Sequence, residues 1–140
     1  MDVNLKFDCA GVDWKEVANI LKTVHMGYHT PEIHQKAFEN SAVTVFAYTN
    51  KQLIGFGRAI SDGAYQAAVY DMAINPQYQR EGLGNLILES ILEKLPDCNV
   101  ILYASPGKEF FYQKHGFRKM KTGMALFLNP EQKREKGFTD

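Results

Sequence analysis

Between Ala67 and Leu95 the chain carries an apolar run, a proline turn, two closely spaced glycines and an amphipathic stretch, in that order. Few folds accommodate that order. The run Ala67-Ala68-Val69-Tyr70-Asp71-Met72-Ala73-Ile74 reads as a buried strand. Asn75-Pro76 turns the chain, and Gln79-Arg80-Glu81-Gly82-Leu83-Gly84 leads into an amphipathic segment from Asn85 to Leu95. Strand, glycine-rich turn and helix together aim successive backbone N–H groups at an anion. A side chain at either glycine would hold a phosphate away from the backbone. The segment therefore points to a phosphate-bearing cofactor.

The flanking elements fill in a fold. Asp13-Trp14-Lys15-Glu16 has the form of a capping box, and Trp14, Val17, Ala18, Leu21 and Val24 then share a helical face. Thr30-Pro31 starts a second short helix with Ile33, Ala37 and Phe38 on its buried side. Val43 to Tyr48 and Leu53 to Ile60 flank Thr49-Asn50-Lys51-Gln52 and read as a hairpin, and Ser61-Asp62-Gly63 turns into the strand that ends at Ile74. Leu83, Leu86, Ile87, Ile91 and Leu95 line one side of the following helix. Asn99 to Ala104 is a short strand, Ser105-Pro106 starts another helix that Gly116 ends, and Met124 to Leu128 is a final strand. A helix crossing between two strands implies a parallel βαβ unit. The expected class is α+β: a mixed, mostly antiparallel central sheet with helices on both faces.

Composition removes several functions. At 140 residues the expectation is one domain spanning 1–140, with only the tail from about Pro130 loosely held. Sixteen basic and sixteen acidic side chains cancel, so no broad field favours nucleic acid or an anionic membrane. No apolar run is long enough to span a bilayer. Met1-Asp2-Val3-Asn4 lacks the basic region and apolar core of a signal peptide. Cys9 and Cys98 stand far apart in no ligand motif and read as free thiols, which fits a reducing cytoplasm. His25, His29 and His34 cluster near one loop, but Gly27 and Thr30-Pro31 break any helix there, so no metal site is expected.

Two motifs carry a family resemblance. One is the Gln-x-x-Gly-x-Gly turn at Gln79 to Gly84, between an apolar strand and a helix; the other is Phe111-Tyr112-Gln113-Lys114-His115-Gly116-Phe117. Together, at this spacing, they resemble the GCN5-related N-acetyltransferase (GNAT) family, which transfers acetyl from acetyl-coenzyme A to an amine. The resemblance runs from the first helix to the last strand. Other phosphate motifs fit worse. A dinucleotide fingerprint needs a third glycine where Ile87 stands, and no Gly-Lys-Ser/Thr run supplies a P-loop.

The resemblance implies the acyl-CoA N-acyltransferase fold, in which the two parallel strands splay. It implies acetyl-CoA as co-substrate, with its pyrophosphate on Gln79, Arg80, Glu81, Gly82, Leu83 and Gly84. The pantetheine arm would pair with the strand edge at Met72, Ala73 and Ile74. Phe111, Tyr112 and Ser105 would also contact the cofactor; Ser105 stands where the family often has Asn. Met72 would offer its backbone N–H to the oxyanion, and Tyr112 would protonate the departing sulfur. The histone-modifying branch has a glutamate base where this chain has Ala68. Asp71 or a water chain is left for that task, with Tyr28 and His29 as acceptor contacts.

The expected activity is direct transfer to a primary amine, with a small molecule as the acceptor class and without an acyl-enzyme. An acyl-CoA-binding or sensing domain and a protein or peptide amine acetyltransferase are the alternatives. Partners are then a small-molecule amine, with neither nucleic acid nor membrane, and a homodimer stays open. Which amine is acetylated is not written in the motifs.

Overall fold

Asn50 and Lys51 both adopt left-handed backbone, φ 48° and 64°, which matches a tight hairpin turn to the twist of its strands. That turn joins β2 (Val43–Thr49) to β3 (Gln52–Ser61), and the computed structural model describes residues 1–140 around it. At the far end of β3, the Asp62 Oδ1 accepts N–H bonds from Ala64, Tyr65 and Gln66 at 2.8, 2.9 and 3.1 Å. Those donors hold its carboxyl below the usual range and turn the chain into β4 (Gln66–Ile74). With β1 (Asn4–Lys6) and β5 (Asn99–Ile101) the sheet order is β1-β2-β3-β4-β5, antiparallel through β4 and parallel between β4 and β5.

Strand alternation feeds two cores. On one face Val45, Ile54, Ala59 and Val69 meet Leu83, Ile87 and Ile91 of α3 (Leu83–Glu93). On the other, Phe46 and Phe56 meet Leu21 of α1 (Trp14–Thr23) and Phe38 of α2 (Pro31–Glu39). Trp14, Phe38, Phe46 and Phe56 form an aromatic group with centroids 5.5–6.4 Å apart. An isolated helix as short as α3 is marginal in water, so burial of its apolar face, about 1.5–3 kcal/mol per large side chain, is what holds it.

β3 contributes to this packing by what it lacks. A Cβ on Gly57 would lie 2.9 Å from Met72 Sδ and 3.0 Å from Ile91 Cδ1. One on Gly55 would lie 2.8 Å from Ile74 Cδ1. The two glycines let β4 side chains and α3 close onto the sheet.

The chain divides into two compact units, Met1–Leu102 and Tyr103–Asp140. The second contains α4 (Glu109–Gln113) and α5 (Pro130–Glu135).

Several elements differ from expectation. The buried face of α2 carries His34 and Phe38, four residues apart, and leaves Ile33 half exposed. In α3 it is Leu88, not Leu86, that joins the buried set. β5 stops at Ile101, short of Ala104. The helix expected from Ser105 begins at Glu109, because Gly107 takes φ 91° and donates its N–H to Glu109 Oε1 at 2.6 Å. Met124 to Leu128, expected as a final strand, is not assigned as one. The tail expected to be loose forms α5, started by Pro130 at its first turn, braced by Arg134 on Glu131 at 2.8 Å and followed by Gly137 at φ 87°.

Replacing Gly57 by valine should overpack the β3–β4–α3 contact and cost about 1–3 kcal/mol. A lowered urea midpoint at unchanged m-value is the expected result.

Candidate active site

The site grows from a flaw in the β3–β4 ladder. Arg58 pairs with Tyr70 and Phe56 with Ala73, so Gly57 alone faces both Asp71 and Met72. This is a β-bulge, and Asp71 adopts φ 54° to make it. The extra residue changes which side chains share a face. Tyr70 and Asp71 both lie on the Arg58 side, toward α1 and α2, while Met72 packs toward α3.

Arg58 organises the first of these faces. Its Nε donates to Asp71 Oδ2 at 2.7 Å, and a second guanidinium nitrogen donates to Ser41 Oγ at 3.2 Å. The guanidinium carbon lies 5.6 Å from the Phe38 ring centroid and 5.4 Å from that of Tyr70. Ser41 is itself fixed by donating its hydroxyl to Ala37 O at 2.8 Å. A planar, permanently charged group with several donors suits such a partly buried junction.

His34 ties the loop between α1 and α2 to the same cluster. Its Nε2 accepts the His29 N–H at 3.0 Å, so the neutral ring with its proton on Nδ1 is the form that fits. Burial pushes its pKa down, with the Asp71 carboxylate opposing and the charges of His29 and Arg58 assisting. Tyr28 and His29 stack edge-on against this ring at 6.3 and 5.6 Å. Of the expected acceptor residues, Tyr28 and His29 therefore reach Asp71's surroundings through His34. His34 is visible in the sequence only as one of three neighbouring histidines, and nothing local marks Arg58 or Ser41; the signal for the bulge is the Gly-Phe-Gly run at Gly55 to Gly57 inside a strand.

On the other edge, β4 pairs with β5 only at Gln66, Ala67 and Ala68. From Asp71 to Ile74 that edge pairs with no strand of the sheet, which is the splay the resemblance implies. Asn75 donates its N–H back to Ile54 O at 2.8 Å, so by alternation Ile74 turns its backbone groups to the open side. The Ile74 carbonyl there accepts the Gln79 side-chain amide at 3.3 Å. Met72, Ala73 and Ile74 lie along this open edge.

Beyond β4, a single turn of 3-10 helix over Pro76–Tyr78 is capped by Asn75. Arg80 and Gly82 then take left-handed backbone, φ 68° and 79°, before α3 begins. Gly82 brings no side-chain cap, and the first bond it accepts comes from Leu86. Leu83 and Gly84 accordingly have no acceptor within the helix, and about half a positive charge gathers at such an end. A Cβ on Gly82 would meet nothing within 4 Å, so its glycine serves the backbone angle and leaves room in front of the turn. These features fit a pyrophosphate. No three His, Cys, Asp or Glu side chains gather as a metal ion would need.

In the second unit, Tyr112 lies in α4 with the Phe111 ring 5.0 Å and the Phe117 ring 5.8 Å away. Gly116, at φ 91°, reverses the chain so that Phe117 N–H reaches Tyr112 O at 3.2 Å. The spacing of the Phe-Tyr-x-x-x-Gly-Phe motif is that of a helix closed back on its own tyrosine. Burial raises the Tyr112 pKa above the usual tyrosine value. Phe111 also packs on His115 at 5.4 Å. Ser105 caps no helix and starts the turn that Lys108 N–H closes.

A mixed sheet split at its parallel pair, with a glycine turn beside the split, defines the acyl-CoA N-acyltransferase fold. A family model described as an acetyltransferase (GNAT) domain matches residues 12–125, and the chain belongs to that family. It is 34% identical over 113 residues to an uncharacterized ycf52-like N-acetyltransferase of Prochlorococcus marinus, covering 76% of this chain and 63% of that protein. It is 36% identical over 85 residues to the chloroplastic GCN5-related N-acetyltransferase 2 of Arabidopsis thaliana, covering 58% and 33%. A probable acetyltransferase of unknown function from meticillin-resistant Staphylococcus aureus superposes with a TM-score of 0.80 at 27% identity, covering 90% of this chain and 99% of that one. The chain spans 63% or less of the length of those two N-acetyltransferases.

Two outcomes follow from the Arg58 cluster. A double-mutant cycle on Arg58→Met and Asp71→Asn, read by urea unfolding, should give a coupling of about 1–3 kcal/mol. The lowered pKa of His34 makes its share of stability fully present above the unfolded value near 6.5 and lost as pH falls below it. The urea midpoint should therefore drop from pH 7 to pH 5, with a shallower drop in His34→Gln, which keeps an acceptor for His29.

Proposed function

We propose that the chain transfers acetyl from acetyl-CoA directly to the primary amine of a small-molecule acceptor, in a cytoplasmic setting. The observation that carries this reading is the open edge of β4 from Asp71 to Ile74, continuous with the left-handed turn at Arg80 and Gly82. When bound, acetyl-CoA supplies an acetyl group activated as a thioester.

The residues have separable tasks. Leu83 and Gly84 offer backbone N–H groups to the pyrophosphate, with Gln79, Arg80 and Glu81 shaping the turn. The β4 edge offers amide partners to the pantetheine arm, which must replace the water it displaces. Met72 directs its N–H at the negative charge that grows on the carbonyl oxygen, a contact that can be worth about 10²–10³ in rate. Tyr112, by its place in the family motif, gives its proton to the leaving sulfur. The phenol is protonated at neutral pH and has a proton to give; burial, which raises its pKa, keeps it in that form.

Asp71 receives the amine on the α1–α2 side of the sheet. Its Oδ2 is taken by Arg58, and Oδ1 carries the remaining acceptor capacity. A carboxylate held this way orients a cationic amine or accepts its proton. Tyr28 and His29 border the same region. Cys9 and Cys98 are free thiols, and direct transfer gives neither a covalent task.

Calorimetry with acetyl-CoA, paired with thiol release from acetyl-CoA over pooled amines, tests the proposal. The wild type should bind the cofactor and release thiol with at least one amine pool. Tyr112→Phe should bind it equally well and turn over about 10²-fold more slowly. Asp71→Asn should raise the KM for the amine and leave cofactor affinity unchanged. Unchanged turnover in Tyr112→Phe would sink the acid role. Binding without thiol release from any amine pool would make the domain an acyl-CoA sensor.

A further inference from the structure

Three strands of the first unit carry one row of apolar side chains beside the Arg58 cluster. Ile60 of β3 pairs with Ala68 of β4, and Ala68 pairs with Ile101 of β5. Alternation fixes the face on which the row lies. Ala59, Ala67 and Val69 are buried toward α3, and Val100 and Leu102 pack against the same core, so the residues between them point the other way. That is the face of Phe56 and Arg58. Phe38 of α2 covers Arg58 there, whereas Ile60 and Ile101 are 48% and 51% exposed. A single exposed isoleucine needs no explanation, but two of them flanking an alanine beside a partly buried ion pair form a patch.

The row has the shape of a trough. Ala68, the smallest of the three side chains, is its floor, and Ile60 and Ile101 are its walls. With neighbouring strands about 4.8 Å apart, the walls stand roughly 10 Å from each other. Toward the C-terminal end of β4 the trough leads to Tyr70, whose ring lies 5.4 Å from the Arg58 guanidinium, and then to Asp71. Ala68 and Asp71 are separated along the strand by about 10 Å at most. No member of the row carries a charge, and the next row outward, Gln66 beside Asn99, is uncharged as well.

We infer that the acceptor is an apolar monoamine, an alkylamine or arylalkylamine whose amine meets Asp71 and whose body lies over Ala68 between Ile60 and Ile101; this rests on the transfer reading given above. The two ends of the surface supply what such a molecule requires. Asp71 Oδ1 has acceptor capacity left once Arg58 has taken Oδ2, and the trough removes apolar surface from water. A second ammonium on the acceptor would lie where no side chain of opposite charge stands, and its desolvation would go uncompensated. Leaving the extra group of a polar amine unpaired is enough to discriminate against it.

Thiol release from acetyl-CoA over ethylamine, butylamine and hexylamine is the test, with hexamethylenediamine as the same chain bearing a second ammonium. The kcat/KM should rise about two- to fourfold per added methylene as the chain enters the trough. The diamine should fall about tenfold or more below hexylamine. Ile60→Glu puts a carboxylate on the wall and should invert that order, with acetyl-CoA affinity and the far-UV circular dichroism spectrum unchanged; Ile60→Leu should keep the wild-type order. Ile101→Glu, on the opposite wall, should act alike and gives an independent reading should the first variant lose its fold. Calorimetry of hexylamine on the CoA-saturated protein needs no turnover, and the affinity should drop about tenfold in either glutamate variant. Turnover of ethylamine that does not improve with chain length, or a diamine as good as hexylamine, overturns the apolar acceptor and leaves acetyl transfer standing. Absence of thiol release from every amine removes the transfer reading instead. The apolar amine site then stands on calorimetry: hexylamine binding that the glutamate variants weaken upholds it, and binding that is absent or indifferent to them overturns it.

Discussion

The contact between Arg58 and Asp71 holds the central strand in a shape it would not otherwise keep. A non-glycine residue in left-handed backbone costs on the order of 1–3 kcal/mol and needs surroundings that fix it. At Asp71 those surroundings are a 2.7 Å ion pair, two aromatic rings around the guanidinium and a serine that anchors its far side. The bulge then divides β4 in two. Its first residues pair with β5, and the rest lead away along an edge no strand occupies. It also sorts neighbouring side chains, sending Asp71 toward α1 and α2 and Met72 toward α3. The open edge and the Asp71 face are two sides of one distortion.

Glycines on the neighbouring strand make that distortion possible. Met72 and Ile74 can settle against α3 only because Gly57 and Gly55 leave the space. The bulge is thus supported from both faces, by an ion pair on one and by missing methyl groups on the other. Neither support is local in sequence, since Arg58 and Asp71 stand thirteen residues apart.

That distance explains what could be read from the sequence. The hairpin at Asn50-Lys51, the Asp13 and Thr30 caps and the turn before α3 depend on residues within a few positions of each other, and all were legible. So was the closure of α4 by Gly116. The burial of His34 was not legible, because its partners lie on the preceding loop, on β3 and on β4. The late start of α4 depended on one glycine angle that composition does not reveal. Met124 to Leu128 has the alternation of a strand but is not one in the structure; a strand requires a paired neighbour, and periodicity says nothing about who provides it. The turn and strand edge proposed for the cofactor are legible for a related reason. Phosphate and amide recognition use backbone groups, which leave glycines and turns as their trace, while amine recognition uses side chains assembled from distant elements.

The bond from the Gln79 amide to the Ile74 carbonyl bears on solubility as well as on the cofactor. An unpaired strand edge invites any extended chain that drifts past, and a protein with such an edge in its middle risks growing into aggregates. This edge is poor bait. The bulge bends it at one end, the 3-10 turn closes it at the other, and Gln79 occupies one of its few outward carbonyls. A full strand would find too short and too crooked a template. A slender arm bearing two amides, able to displace one side-chain amide and follow the bend, would find enough.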